Sequence, residues 1–282
     1  VADLFQVALI QTRTPATAEG GLAHVAPLIR KASEGGAKLI LTPEGTNLLE
    51  QRRDRRTEVL AAEGDDLAVR GLRDLAAEFG VWLLIGSAIV RSEVEGETRA
   101  ANRSLLIDDL GQTAARYDKL HVFDVDLPNG ETYRESATVR PGDSAAVAAT
   151  PWGPLGLTVC YDLRFPQLFR SIANAGARMI AVPAAFTRPT GEAHWEVLLR
   201  ARAIETGCFI LAPAQGGTHE DGRKTWGRSM VVDPWGAVIA RVEHDEPCVL
   251  FADLDMSAVD RARQAVPALS HDRDFAPPTS VT

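Results

Sequence analysis

The chain repeats itself, and two related copies restrict the possible folds more than any single motif, because each copy must form the same unit and bury its apolar face. "GAKLILTP" at 36–43 matches "GARMIAVP" at 176–183, and "GVWLL" at 80–84 matches "GCFIL" at 207–211. "SLLIDDLGQTAAR" from Ser104 matches "SMVVDPWGAVIAR" from Ser229. The offsets, 176−36=140, 207−80=127 and 229−104=125, differ, so loop lengths changed between the halves.

The first copy opens on a strand, "LFQVALIQT", with Phe5, Val7 and Leu9 on one face. In "AEGGLAHVAPLIRKASEGG", Leu22, Val25, Ile29 and Ala32 fall at helical spacing, although Pro27 interrupts the middle. The strand "AKLILTP", the helix "DDLAVRGLRDLAAEFG" and the strand "VWLLIGSAIV" complete a βαβαβ unit. The third matched pair reads in both copies as two strands joined by a turn at Asp-x-x-Gly. Two such units predict an α/β protein, a four-layer α-β-β-α sandwich with an internal pseudo-two-fold. One open doubly wound sheet is the rival. No Pro/Gly/Ser-rich linker divides the 282 residues, so one domain is expected over 1–270, with 271–282 as a C-terminal tail.

The composition is that of a globular chain, 45% hydrophobic and 24% charged, with a formal net charge of −8. That balance offers no field for nucleic acid or anionic lipid. Arg52, Arg53, Arg55 and Arg56 are interleaved with acids and read as a solvated helix face. No apolar stretch reaches the roughly 20 residues of a membrane span. "VADLFQVALIQ" carries Asp3 and no basic region, so it does not read as a signal peptide, and a cytoplasmic location is expected.

In either topology ligands sit beyond the carboxyl ends of the strands. Glu44 ends "LILTPE" and Cys160 ends "LGLTVC". The position aligned with Glu44 is 44+140=184, an alanine, so the two copies hold one site between them. A lone cysteine is commonly a small buried hydrophobe. A strand-to-helix turn, however, would aim Cys160 at solvent near the amino-terminal end of the helix carrying "FPQLFRSIANAG", where N–H groups favour thiolate. Cys208 and Cys248 lie inside apolar strand patterns and are expected in the core. A nucleophilic thiolate needs a base or a cation nearby. His194 or His121 could serve, or Lys119 in "RYDKLHVFD", since unit charges about 4 Å apart attract by roughly 4 kcal/mol at an effective dielectric near 20. None of the six histidines recurs at metal-ligand spacing, so no metal is expected.

"PEGTN" around Glu44, "YDKLHVFDVD" around Lys119 and "CYDLRFPQLFR" around Cys160, in that order and along nearly the whole chain, resemble the nitrilase superfamily of carbon–nitrogen hydrolases. The resemblance implies an α-β-β-α sandwich and a Glu44-Lys119-Cys160 triad, with Glu135 in "TYRESATVRPGD" as a second glutamate that orients Lys119 or the substrate amide. It further implies a cofactor-free reaction. Cys160 attacks the amide carbonyl, the Lys119 ammonium and the Tyr161 backbone N–H hold the oxyanion, and Glu44 carries the proton to departing ammonia, leaving a thioester for water. "CYDLRFPQL", "TGEAHWEVLLRARAIETGCF" and "SMVVDPWGAVIARV" are most similar to the Nit branch, whose substrates are small carboxylate-bearing amides. Arg164 and Thr190 would hold the carboxylate, and deaminated glutathione ranks ahead of α-ketoglutaramate. Trp195, Leu198, Leu199 and Ile204 form an apolar helix face, and the resemblance implies a homodimer or a larger even oligomer. The remaining readings are an N-carbamoyl-amine or nitrile hydrolase, a binding protein with a vestigial triad, and a Cys-His protease.

Overall fold

The computed structural model describes residues 4–50 and 52–278, with backbone alone at 53, 56 and 57. The first half runs β1 (Leu4–Gln11), α1 (Ala18–Glu34), β2 (Leu39–Leu41), α2 (Arg53–Val59), α3 (Leu67–Phe79), β3 (Trp82–Arg91), β4 (Ala100–Ile107) and β5 (Thr113–Asp118). A small hairpin, β6 (Asp124–Asp126) and β7 (Thr132–Arg134), leads to the second half. That half runs β8 (Ala146–Ala148), β9 (Leu155–Leu157), α4 (Pro166–Asn174), β10 (Met179–Ala181), α5 (Arg188–Thr206) and β11 (Phe209–Ala212). A second hairpin, β12 (Gly216–Thr218) and β13 (Lys224–Trp226), precedes β14 (Met230–Val232), β15 (Val238–Arg241), β16 (Cys248–Asp255) and α6 (Ser257–Ala265).

The strands make two six-stranded sheets, ordered β16-β1-β2-β3-β4-β5 and β15-β14-β11-β10-β9-β8. Read from β1 and from β9, they have the same plan: three parallel strands, then two antiparallel ones, with an antiparallel neighbour on the far side of the first. The internal repeat is therefore the repeat of the sheets. β2 corresponds to β10, β3 to β11, and the Asp-x-x-Gly hairpins to β4-β5 and β14-β15.

Alternation along β1 sorts its side chains between two layers. Phe5, Val7 and Leu9 pack into the interior shared with the second sheet, beside Leu155, Leu157 and Met179. Ala8 and Ile10 pack outward against Val25 and Ile29 of α1 and Val69 and Leu72 of α3. Together with α4 and α5 on the other sheet, this is the four-layer sandwich. α1 continues unbroken through Pro27, whose ring lies on the exposed face where water can take the freed carbonyl. Asp66 caps α3 by accepting from the Val69 N–H at 2.9 Å, and Gly80 ends it in the left-handed region at φ 59°.

Several expectations change in detail. On α5, Trp195 and Leu199 are buried, but Ile204 is 59% exposed. Nine residues at 100° each place Ile204 opposite Trp195, so it cannot share that face. Cys208 is in the core as expected, whereas Cys248, at the start of the edge strand β16, is only half-buried. Arg52 is ion-paired with Glu50 at 2.6 Å and Arg55 is exposed, but the side chains of Arg53 and Arg56 lie outside the described residues. No described helix is long and apolar enough to cross a membrane.

The two halves are in close contact where β3 passes Pro183, just beyond β10. A Cβ on Gly86 of β3 would stand 1.9 Å from the Thr42 carbonyl oxygen and 2.5 Å from Pro183 Cβ of the opposite half. Backbone on one side leaves nothing flexible to yield. Gly86→Ala should therefore destabilise the fold by about 1–3 kcal/mol, read as a lower thermal midpoint; an unchanged midpoint would refute this close packing.

Candidate active site

Three strand ends deliver the central side chains. β2 runs through Thr42 and Pro43 to Glu44, β9 through Thr158 and Val159 to Cys160, and β5 directly to Lys119. All three residues are buried: Glu44 is 6% exposed, Lys119 2% and Cys160 7%. Lys119 Nζ donates to Glu44 Oε1 at 2.8 Å and to Glu135 Oε2 at 2.8 Å and Oε1 at 3.1 Å. Glu44 faces the Cys160 thiol across the cavity wall and, on Oε2, accepts the Ala185 N–H at 3.0 Å. Glu135 opens a 3₁₀ turn, and its Oε2 accepts the Phe123 N–H at 2.6 Å.

Asn102 on β4, which sequence reasoning passed over, completes this set. Its Nδ2 donates to Glu44 Oε1 at 2.9 Å and to Glu135 Oε1 at 3.3 Å, while its Oδ1 accepts from Ser87. The available signal was an amide inside a strand whose other residues are buried.

Cys160 has a left-handed backbone, φ 52°, a conformation that costs a side-chain-bearing residue energy and concentrates at functional sites. Its N–H donates to the Pro183 carbonyl at 2.9 Å, and the next residues form a 3₁₀ turn, Cys160–Arg164. α4 begins only at Pro166, which has no N–H to offer. The expectation that a helix terminus turns Cys160 into a thiolate is therefore corrected. Burial and the Glu44 charge push the thiol well above its ordinary value, and the pull of Lys119 does not reverse this. For Glu44, burial acts upward, but the Lys119 charge and the neighbouring Cys160 and Lys119 donors outweigh it and keep the carboxyl below the usual range. For Lys119, burial acts downward, and the Glu135 and Glu44 charges outweigh it and keep the amine protonated. The resting site is a neutral thiol beside a charged carboxylate, with an ammonium beyond.

These residues line a cavity of about 280 Å³ that also holds Tyr161, Thr190, Phe123, Tyr133, Phe186 and Arg223. Tyr161 lines the cavity from the first turn of a 3₁₀ helix whose opening N–H groups have no intrahelical partner. Thr190 is also in the wall, its Oγ1 2.8 Å from Thr187 Oγ1. Arg164 is not in the wall: its Nη2 lies 3.2 Å from His194 Nδ1 and its guanidinium stands over the Phe186 ring. Neither His194 nor His121 lines the cavity, so the geometry gives a Cys-His pairing no support. No group of three potential metal ligands occurs among the described residues.

A family model described as carbon-nitrogen hydrolase matches residues 6–264. The chain belongs to the carbon–nitrogen hydrolase family. A deaminated glutathione amidase from Yersinia enterocolitica is 42% identical over 268 residues, 95% of this chain and 92% of the relative. The crystal structure of the Caenorhabditis elegans NitFhit protein superposes with a TM-score of 0.89 at 35% identity; it covers 97% of this chain, which spans 66% of that longer one. An amidase variant from Nesterenkonia sp. AN1, carrying acrylamide added at its active-site cysteine, superposes with a TM-score of 0.76 at 27% identity, covering 93% of this chain and 98% of that one. The Nit-branch resemblance and the sandwich fold hold, and the protein is a hydrolase of amides.

Within this hydrolase, Asp162 connects the lysine and cysteine segments. It is fully buried; Oδ2 accepts Tyr117 OH at 2.6 Å and the Val159 N–H at 2.8 Å, and Oδ1 accepts the His121 N–H at 3.0 Å. Asp162→Ala leaves these donors unmatched and should cost about 3 kcal/mol or more in urea unfolding. A loss below about 1 kcal/mol would show that the two segments are held by other contacts.

The charges also set a pH window. The depressed Glu44 pKa contributes stability that is fully present above its ordinary value of 4.5 and is lost as pH falls through the lower folded value. The raised Lys119 pKa contributes stability that is fully present below 10.5 and is lost as pH rises through the folded value. In urea titrations the stability difference between wild type and Glu44→Gln should be constant across that window and shrink below pH 4.5. A difference independent of pH down to strong acid would remove the Glu44 charge from the account.

Proposed function

We propose that Cys160 is the nucleophile, Glu44 the general base and acid, and Lys119 the oxyanion-holding cation, with Glu135 positioning Lys119. The observation that carries this reading is the buried Lys119–Glu44 ion pair at 2.8 Å with the Cys160 thiol beside it in the wall of one cavity. Glu44 takes the thiol proton as sulfur bonds to the amide carbon. Negative charge moves to the carbonyl oxygen, held by Lys119 and the Tyr161 N–H. Collapse breaks the C–N bond, the amine takes the proton from Glu44, and a thioester remains. Glu44 then takes a proton from water, hydroxide adds to the thioester, and the departing sulfur regains its proton. The active-site cysteine of the Nesterenkonia relative supports the first of these roles.

For substrate we propose deaminated glutathione, as in the name of the Yersinia relative, with Thr190 on the acyl carboxylate. Arg164 would have to leave His194 to join it. One correction follows from the chemistry of that substrate. Its scissile amide joins a 2-oxoglutaryl group to cysteinylglycine, so the leaving amine is the dipeptide, and ammonia is released only from a primary amide such as α-ketoglutaramate. We further propose that residues 1–270 form the hydrolase domain, with 271–282 as a tail, and that the protein is cytoplasmic. Val197 and Ile204 on α5 and Trp235 on the β14-β15 turn are 68%, 59% and 63% exposed, which supports a homodimer or a larger even oligomer built on this face.

The test is 2-oxoglutarate release from deaminated glutathione and from α-ketoglutaramate, side by side. Deaminated glutathione should lead by about tenfold or more in kcat/KM, and Cys160→Ala should reduce turnover at least about 1,000-fold. A preference for α-ketoglutaramate would overturn the substrate, and an active Cys160→Ala would overturn the mechanism.

A further inference from the structure

Three cations line the cavity. Lys119 is held by Glu44 and Glu135, and Arg134 by Asp126 at 2.7 Å. Arg223, on the β12-β13 turn, forms no ion pair among the described residues. It donates from Nη2 to the Ala185 carbonyl, and its guanidinium stands 5.9 Å from the Tyr133 ring centre. Its Nε is buried with no acceptor, and the same turn leaves His219 Nδ1 and Asp221 Oδ2 buried and unmatched. Buried polar atoms are seldom left so, and Arg223, the one of these three residues that lines the cavity, can find its missing partner in a ligand there.

The position of Arg223 indicates which part of a substrate it would meet. Residue Ala185 has its N–H on Glu44 Oε2 and its carbonyl on Arg223, so a single backbone residue bridges the two side chains. Glu44 delivers its proton to the leaving nitrogen. A group held by Arg223 therefore belongs to the leaving half of the substrate. A planar guanidinium with free N–H groups, in a chain of net charge −8, is suited to a carboxylate.

We propose that Arg223 binds the carboxylate of the leaving amine, so that the site selects amides whose amine half is a short acidic peptide. This rests on the amidase reading above and extends it to the other end of the substrate. Arg223 would thus be a specificity-determining residue that does not touch the reacting atoms.

The test compares deaminated glutathione with its C-terminal N-methylamide, read by 2-oxoglutarate release, in wild type, Arg223→Gln and Arg223→Lys. Wild type should lose about 10- to 100-fold in kcat/KM when the carboxylate is capped. Arg223→Gln should show that loss already on the free acid and differ by less than about threefold between the two forms. Arg223→Lys should restore part of the preference. Turnover of α-ketoglutaramate, which has no such carboxylate, should fall at least about tenfold less in Arg223→Gln than turnover of deaminated glutathione, which also reports that the variant is folded. Equal discrimination in wild type and Arg223→Gln, or a wild type indifferent to the cap, would overturn the assignment. A wild type that cleaves neither form but cleaves α-ketoglutaramate would instead overturn the substrate reading beneath it.

Discussion

The ammonium of Lys119, held out of water between two carboxylates, is the interaction on which the rest of the site depends. Burying one charge is costly, and three are tolerated only because each completes the others' hydrogen bonds. The cluster of Glu44, Glu135 and Lys119 carries one surplus negative charge. Neutral dipoles absorb it: the Asn102 amide and the backbone N–H groups of Ala185 and Phe123 all donate to these carboxylates. A thiolate beside them would add a second negative charge, which is why Cys160 rests as a thiol. The proposed reaction respects the same limit. When the proton moves from sulfur to Glu44, the negative charge moves to the substrate oxyanion, so the total within the cavity does not change.

That cluster needs both halves of the sandwich. Glu44 and Lys119 leave the first sheet and Cys160 the second, and ties across the gap fix their relation. Gln215, which follows β11, donates from Nε2 to the Glu44 carbonyl at 2.9 Å, and Ala185, which follows β10, supplies an N–H to its carboxylate. The duplicated plan thus offers two equivalent strand ends, and the side chains on them have diverged. Where one copy has Glu44, the other has Ala184, whose neighbour contributes only backbone.

The architecture was legible because its signal is local and doubled: "GAKLILTP" and "GARMIAVP" each identify a buried strand, and their recurrence identifies the second sheet. Glu44 and Cys160 stood out as residues closing apolar runs, and Lys119 as a possible cation and through the family's order of motifs. What stayed hidden is set by distant partners. Asn102 acts through Glu44 and Glu135, 58 and 33 positions away, and Asp162 through Tyr117, 45 away. No spacing rule reports such pairs. The protonation state of Cys160 was misread for a related reason: a nearby helix suggested a dipole, whereas burial and a neighbouring carboxylate decide the matter. Arg164 was carried over from a motif, but its surroundings place it against His194.

The backbone at Cys160 shows why so short a segment can do so much. A strand that continued in extended form would carry the thiol onward between the sheets, and an α-helix begun at once would turn it against its own first turn. One residue at φ 52° changes direction in a single step and starts a 3₁₀ turn immediately. Cys160 and the Tyr161 N–H then lie on adjacent residues, so the proposed nucleophile and the proposed oxyanion donor are positioned by one piece of backbone. Asp162, two residues on, accepts the Val159 N–H and binds the segment after β5, so the strain at Cys160 is held by the same carboxylate that aligns the lysine strand. A conformation that costs energy locally persists because its neighbours are fixed from both sides.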